Sequence, residues 1–185
     1  MLSQLLQKKH TKNFKIYDLD GSGFVELADL ELCASNLAQL RNQQSDSSEV
    51  LDLQAKYLAI WTNFWQPADI NGDGKVSLEE YLKVAENSIN NFWKIPRLQN
   101  AHTNKANMIF DILDANNNGQ ISQSEYEQFC LAVGLNEKDA ETAFIHLDNN
   151  ADGYISRDEY VQASQDFHVS EDVNACGNWL YGSYE

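Results

Sequence analysis

Oxygen-bearing side chains recur in this chain at a fixed spacing. Four segments of twelve residues align without gaps, and each has Asp at position 1, Asp or Asn at position 3 and a carboxylate at position 12. They are loop 1 (DLDGSGFVELAD, 18–29), loop 2 (DINGDGKVSLEE, 69–80), loop 3 (DANNNGQISQSE, 114–125) and loop 4 (DNNADGYISRDE, 148–159). Hard divalent cations prefer such oxygen ligands. The pattern predicts four sites for Ca²⁺.

The spacing within each loop fits a backbone that wraps around one ion. Ca²⁺ takes about six to eight oxygens at roughly 2.3–2.6 Å, so the side chains at positions 1, 3 and 5 must converge. Position 6 is Gly in all four loops, as a sharp turn at positive φ requires. Position 7 offers its carbonyl, position 9 acts directly or through a water, and position 12 reaches back from the next helix. This is the EF-hand loop pattern.

These rules assign six candidate metal ligands to each loop. In loop 1 they are Asp18, Asp20, Ser22, the Phe24 carbonyl, Glu26 and Asp29. In loop 2 they are Asp69, Asn71, Asp73, the Lys75 carbonyl, Ser77 (through a water) and Glu80. In loop 3 they are Asp114, Asn116, Asn118, the Gln120 carbonyl, Ser122 and Glu125. In loop 4 they are Asp148, Asn150, Asp152, the Tyr154 carbonyl, Ser156 and Glu159. Loop 3 offers the fewest carboxylates, so it is predicted to bind most weakly, whereas loops 2 and 4 approach an ideal calcium site.

Loop 1 differs from the others at position 12, where Asp29 stands in place of Glu. Asp is one methylene shorter and reaches an ion with both oxygens only if the following helix moves inward. A contact through one oxygen suits the near-octahedral coordination of Mg²⁺. We therefore predict that loop 1 is the most tolerant of Mg²⁺.

Apolar residues flank the loops at helical spacing. Position 8 is β-branched in every loop, and extended residues there can pair across two loops as a short antiparallel ribbon. The sequence predicts an all-α fold with four EF-hands in two pairs, packed into one compact globular body, with short β-pairing between the loops. The inward-facing residues are Phe14, Trp65, Phe110 and Phe144 before the loops, Val25, Val76, Ile121 and Ile155 at position 8, and Leu30, Tyr81, Tyr126 and Tyr160 after the loops.

The intervals between loops predict two halves, residues 1–93 with loops 1 and 2 and residues 94–185 with loops 3 and 4. The segment 94–101, which contains a proline, is interpreted as the hinge between them. The segment 49–66 is predicted to be one long helix that Pro67 kinks or ends.

The end of the chain is unusually apolar. Residues 168–185 include Trp179, Leu180, Tyr181 and Tyr184. A free terminus is normally polar, so this tail is predicted to pack back onto the body.

Composition excludes several classes of protein. The net charge of −15 disfavours nucleic acid and anionic membrane surfaces as partners. No apolar run reaches the roughly 18–20 residues of a membrane span. There is no signal-type segment, no metal-ligand or disulfide spacing of Cys33, Cys130 and Cys176, and no catalytic motif. We expect a cytoplasmic, monomeric, non-enzymatic protein whose partners are calcium ions.

Other side chains are assigned structural roles. The cysteines are interpreted as small apolar fillers. The histidines are predicted to form no cluster, and an aromatic group is predicted to be core rather than a cofactor site. The histidines are His10, His102, His146 and His168, and the aromatic group is Trp61, Phe64, Trp65, Phe92 and Trp93.

The chain resembles the sarcoplasmic calcium-binding proteins, their bacterial relative calerythrin, and the calexcitins. The resemblance covers the length, the four loops with their unequal intervals, the ending of loop 1 in DLDGSGFVELADLE, and the tail segments QDFHVSED and GNWLYG. It implies a compact four-EF-hand body and Ca²⁺ buffering with some Mg²⁺ binding. Members commonly have a degenerate loop, often the second, but loop 2 here is complete, so up to four ions are expected.

Three functions are compatible with these features. The first is a cytosolic Ca²⁺ buffer or carrier. The second is a calexcitin-like sensor with a protein target, which the scarcity of methionine (Met1 and Met108) disfavours because sensors favour Met-rich grooves. The third is a binder of a small molecule of the luciferin type, since the aromatic content permits a cavity.

Overall fold

A computed structural model describes residues 2–183, which form eight α-helices and four short strands, with one strand between the two helices that flank each loop. The helices are α1 (Gln4–Tyr17), α2 (Leu27–Leu40), α3 (Ser48–Ile60), α4 (Leu78–Asn91), α5 (Pro96–Leu113), α6 (Gln123–Ala132), α7 (Glu137–Leu147) and α8 (Arg157–Val169). The strands are β1 (Phe24–Val25), β2 (Val76–Ser77), β3 (Gln120–Ser122) and β4 (Tyr154–Ser156). One π turn (Trp61–Trp65) and two 3₁₀ turns (Gln66–Ala68, Cys176–Trp179) complete the described elements. The all-α prediction is confirmed.

The strands join the loops in two pairs. β1 is antiparallel to β2 and pairs Val25 with Val76, while β3 is antiparallel to β4 and pairs Ile121 with Ile155. All four of these side chains are fully buried. The predicted β-pairing is confirmed, and each ribbon ties two loops to the core beneath them.

Aromatic rings fill the space between the helices of each pair. Trp65 stacks on Tyr81 with ring centroids 5.0 Å apart, and Phe14 meets Trp65 edge-on at 6.3 Å. Phe110 packs against Tyr160 in the same way at 6.0 Å. These contacts use the residues just before and just after the loops, so the loop geometry and the core depend on each other.

The entry to loop 2 departs from the predicted single helix over 49–66. That prediction is wrong beyond Ile60, where the α-helix gives way to a π turn and then to a 3₁₀ turn. Pro67 has no N–H and ends regular helix at this point. The wider π turn, closed by the Gln66 N–H donating to the Trp61 carbonyl, accompanies complete burial of Trp65.

The connection between the halves is shorter than the predicted hinge 94–101. Helix α5 already begins at Pro96, and Ile95 caps it in an extended conformation. Proline suits the first helical position because the N–H it lacks would have no partner there. Only residues 92–95 therefore lie between α4 and α5.

Two predictions about individual side chains are wrong. His10, His102 and His168 do form a cluster, with His168 in ring contact with both of the others. Trp93 is not core, because 70% of it is exposed, whereas its neighbour Phe92 is buried. The other aromatic residues of that group are buried or partly buried.

The described part of the tail lies against α7 and α8. Leu180 and Tyr181 are buried, and the Leu180 carbonyl accepts a hydrogen bond from the Tyr126 hydroxyl at 2.7 Å. Trp179 stacks on His146, with ring centroids 4.1 Å apart. Tyr184 lies outside the described residues.

A buried lysine connects the two ends of the chain. Lys9 of α1 is fully buried, and its Nζ donates to the carbonyls of Asp166 and Ser170 at 3.1 and 2.9 Å. The carbonyls in the last turn of a helix carry partial negative charge, which an ammonium group offsets. Lys9 therefore caps α8 and links the first helix to the last.

Replacement of Gly177 tests how firmly the tail is packed. An added Cβ would overlap the carbonyl oxygen of Ala163 in α8, so Gly177→Ala must displace the tail. We expect a loss of about 1–3 kcal/mol in the free energy of unfolding, measured by urea denaturation of the calcium-loaded protein. The exposed tail residue Val173 provides a control, because Val173→Ala should change little. Equal stability of the parent and Gly177→Ala would show that the tail is not fixed on α8.

Candidate metal centres

The first carboxylate of each loop is fixed by the same backbone contact. The residue at position 1 accepts a hydrogen bond from the Gly N–H at position 6 at 2.9–3.0 Å in all four loops. The glycines have φ between 84° and 88°, which L side chains rarely adopt. The pairs are Asp18–Gly23, Asp69–Gly74, Asp114–Gly119 and Asp148–Gly153. The predicted requirement for Gly thus has a geometric cause.

Side chains at positions 3 and 5 fold back on their own backbone. Asn71 Oδ1 accepts from the Asp73 N–H at 2.8 Å, and Asp73 Oδ1 accepts from the Lys75 N–H at 2.9 Å. Loops 3 and 4 repeat both contacts. Loop 1 repeats the first through Asp20 Oδ1 and the second through the Ser22 hydroxyl, which accepts from the Phe24 N–H at 3.3 Å. These turns hold oxygen atoms at fixed places within each loop.

The carboxylate at position 12 closes each loop from the following helix. In loop 2, Glu80 Oε1 accepts from the N–H groups of Ile70 and Asn71 at 3.1 and 3.3 Å, and Oε2 accepts from the Ser77 N–H at 3.0 Å. These hydrogen bonds lower the pKa of Glu80, with those from Ser77 first among the causes. Ser77 in turn caps α4, so Glu80 is the third residue of a capped helix. Loops 3 and 4 have the same capping box.

Asp29 makes the corresponding contacts in loop 1 despite its shorter side chain. Its Oδ1 accepts from the N–H groups of Leu19 and Asp20 at 3.1 and 3.3 Å, and its Oδ2 accepts from the Glu26 N–H at 2.8 Å. The side chain is nearly fully buried. Asp29 therefore accepts from the same backbone N–H groups as Glu does in the other loops, with a side chain that is one methylene shorter.

Loop 1 also brings its acids closest together. Within residues 2–183, the group of three acidic or metal-ligating side chains with ligand atoms all within 4.8 Å of one another is Asp18, Asp20 and Asp29. Burial, with the nearby Asp20 charge as a lesser cause, raises the pKa of Asp29. A bound cation would relieve this repulsion. The donor set therefore fits a hard divalent cation.

One contact across the first ribbon was not predicted. Lys75 of loop 2 places its Nζ 2.7 Å from Glu26 Oε1 of loop 1, and the same ammonium lies 5.8 Å from the centre of the Phe24 ring. The antiparallel register, with Phe24 opposite Ser77, puts positions 7 and 9 of the two loops opposite each other. That register, applied to the sequence, would have revealed the pair. Glu26, assigned as a ligand of loop 1, therefore also forms an ion pair.

Paired helix–loop–helix units with acidic, glycine-turned loops define a class of calcium-binding proteins. The sequence matches the family described as EF-hand domain pair over residues 7–86 and 103–165. The chain belongs to this EF-hand family.

Individual relatives agree with that membership. Calerythrin from Saccharopolyspora erythraea is 27% identical over 185 residues, covering 96% of this chain and all of the relative. The solved sarcoplasmic calcium-binding protein from amphioxus has a TM-score of 0.73 at 20% identity and covers 99% of this chain and 100% of the other. The solved calcium-loaded coelenterazine-binding protein from Renilla muelleri has a TM-score of 0.81 at 24% identity and covers 98% and 99%. The resemblance to the sarcoplasmic calcium-binding protein and calerythrin group is confirmed.

Loop 4 contains a strained position that can be tested. Ala151 has φ of 56°, at a position where loops 1 and 2 have Gly. The left-handed region costs an L side chain about 1–2 kcal/mol. Glycine avoids this cost, but it loses more conformational entropy on folding, which offsets part of the gain. Ala151→Gly should therefore raise the free energy of unfolding by about 0.5–1 kcal/mol, measured by denaturation in excess chelator. Ala115→Gly in loop 3 is the control. It should not raise the free energy of unfolding, since Ala115 does not have a positive φ. A destabilised Ala151→Gly would contradict the strain argument.

Proposed function

We propose that this protein is a cytosolic Ca²⁺ buffer or carrier of the sarcoplasmic calcium-binding type, acting as a monomer without enzymatic activity. It binds up to four ions through the 24 ligands assigned above, and loop 1 also accepts Mg²⁺. The observation that carries the proposal is the arrangement of the loops, in which the carboxylates at positions 1 and 12 are already held by backbone N–H groups. Such preorganisation favours binding without a large opening of the protein.

The packing of the tail supports a buffer over a sensor. A sensor exposes an apolar groove between helices when it binds calcium. Here Leu180 and Tyr181 fill the space beside α8, and Tyr181 meets the Phe167 ring at 5.1 Å. A target helix would have to displace the tail. The one methionine within the described residues, Met108, is only partly buried and makes no Met-rich groove.

The small-molecule alternative of the luciferin type is not favoured. The Renilla muelleri relative is a coelenterazine-binding protein at 24% identity, and the Renilla reniformis relative is a luciferin-binding protein at 28% identity, but neither likeness by itself assigns a ligand to this chain. Within residues 2–183, no helix is both long and apolar enough to span a lipid bilayer.

Apolar dye binding distinguishes a buffer from a sensor. We expect calcium to lower the fluorescence of such a dye or to leave it nearly unchanged, because ion binding removes repulsion between carboxylates and compacts the body. The measurement is a calcium titration of the chelator-treated protein with the dye present. A large calcium-induced rise would overturn the buffer proposal and favour a sensor.

The length of the side chain at position 12 should set the ion preference of loop 1. Asp29→Glu gives bidentate reach and should raise the preference for Ca²⁺ at this site alone, because Mg²⁺ avoids bidentate carboxylates. The reciprocal variant, Glu80→Asp in loop 2, should make that loop more tolerant of Mg²⁺. Calorimetric Ca²⁺ titrations with and without millimolar Mg²⁺ measure both effects. Unchanged Mg²⁺ competition in the two variants would refute the argument.

A further inference from the structure

The ion pair across the first ribbon places a positive charge between loops 1 and 2. The antiparallel register, in which Val25 lies opposite Val76, brings Glu26 opposite Lys75. Lys75 Nζ lies 2.7 Å from Glu26 Oε1, and the two side chains are 46% and 29% exposed. Glu26 is an assigned ligand of loop 1, whereas Lys75 is assigned to loop 2 through its carbonyl alone. The ammonium of one loop is therefore paired with a ligand of the other.

The surroundings of Lys75 hold its ammonium at this place. The Phe24 ring lies beside it, with Nζ 5.8 Å from the ring centre, which is within the range of a cation–π contact. The pKa of Lys75 is raised, chiefly by its hydrogen bond to Glu26 and by the charge of that carboxylate. The charges of Asp73 and Asp20, assigned ligands of loops 2 and 1, are lesser causes of the raised pKa. One ammonium thus interacts with carboxylates of both loops and stays protonated at neutral pH.

The second ribbon carries no charged pair of this kind. Its register also sets position 7 of one loop opposite position 9 of the other, but all four side chains are neutral. A lysine opposite a ligand carboxylate is therefore particular to the first pair of loops and is not a general requirement of loop pairing. The four neutral residues are paired as Gln120 with Ser156 and Ser122 with Tyr154.

An ammonium at this place has opposite effects on loops with and without a cation. Four of the six assigned ligands of loop 1 are carboxylates, and when no cation is bound the ammonium offsets part of their mutual repulsion. When a divalent cation is bound, Lys75 repels it, and Glu26 has to divide its charge between the ammonium and the cation. Cation binding therefore works against an interaction that the second pair of loops does not have.

We propose that Lys75 is a built-in counter-ion of loops 1 and 2, which weakens their binding of Ca²⁺ and stabilises these loops when no cation is bound. This role depends on the calcium binding proposed above, and it makes Lys75 the residue that sets the strength of the first pair. By the number of its carboxylates, loop 1 should otherwise be the tightest of the four sites. Lys75 keeps loop 1 from binding as tightly as its charge implies, so that this loop can release its ion as a buffer must.

Replacement of Lys75 by glutamine tests this role. Lys75→Gln removes the charge, keeps the backbone carbonyl and copies Gln120, which stands at the same position of loop 3. Ca²⁺ is titrated by calorimetry into the chelator-treated and desalted full chain at low ionic strength, where exposed charges are least screened. We expect binding at least about threefold tighter at two of the sites, a change within the range of an exposed ion pair, and unchanged binding at the others.

Two further variants separate the local pair from a general effect of charge. Lys75→Arg keeps the positive charge and should bind Ca²⁺ as the parent does. Lys83 of α4 is exposed and belongs to none of the ion pairs among residues 2–183. Lys83→Gln removes the same charge close to loop 2 and should change the affinity by less than about twofold. Equal gains in Lys75→Gln and Lys83→Gln would overturn the proposal.

Stability in two conditions distinguishes a counter-ion from a contact that is merely structural. In excess chelator, Lys75→Gln should lower the urea midpoint, because the carboxylates lose their counter-ion. In excess Ca²⁺ it should raise the midpoint, because the repulsion between Lys75 and the cation is gone. A merely structural contact would lower both midpoints, and that result would overturn the proposal. In a Glu26→Gln background, Lys75→Gln should have a smaller effect on Ca²⁺ affinity, since the paired carboxylate is already absent.

The calorimetry also separates failure of this role from failure of the proposed function. A parent protein that binds no Ca²⁺ would refute calcium binding itself and, with it, the role of Lys75. A parent that binds Ca²⁺ with the same affinity as Lys75→Gln would overturn the counter-ion role alone and leave the buffer proposal intact.

Discussion

Repulsion among carboxylates gathered into four small loops is the constraint on which the rest of the structure depends. The backbone opposes this repulsion by aiming N–H groups at the acids, as at Asp18 and Glu80. The carboxylate at position 12 is also the third residue of a helix, where the helix dipole favours negative charge. These contacts lessen the repulsion without removing it. Burial first, and the nearby charge of Asp20 as a lesser cause, keep the pKa of Asp29 raised. A divalent cation completes the compensation, so ion binding and folding stability are linked.

Pairing of the loops extends this local geometry across each half. The ribbons bury Val25 against Val76 and Ile121 against Ile155, so neither loop of a pair can shift without disturbing its partner. In the first half, the Lys75–Glu26 ion pair adds an electrostatic link between loops 1 and 2. Both side chains are partly exposed, so this pair adds little to stability. The ion pair instead joins Glu26, an assigned ligand of loop 1, to Lys75, whose carbonyl is an assigned ligand of loop 2.

Sequence reasoning succeeded where one segment determines its own conformation. The four loops, their glycine turns, the all-α class and the ribbons follow from twelve-residue patterns and their flanks. It failed where distant segments meet. His10, His102 and His168 come from three helices, and no spacing in the sequence brings them together. The π turn before loop 2 was missed because a π turn and an α-helix share one pattern of apolar residues over so short a stretch.

The contacts that join α1, α8 and the tail affect whether the protein opens when it binds calcium. Opening the last pair of helices would break the Tyr126–Leu180 hydrogen bond and move the tail from the tight contact at Gly177. It would also leave Lys9 buried without the carbonyls of Asp166 and Ser170, and an unpaired buried charge is strongly unfavourable. These contacts join α1, α8 and the tail, so a groove in the last pair cannot form without loosening the first helix as well. We therefore expect calcium binding to stabilise the closed body rather than to expose one of its faces. This is the energetic argument for a buffer over a sensor.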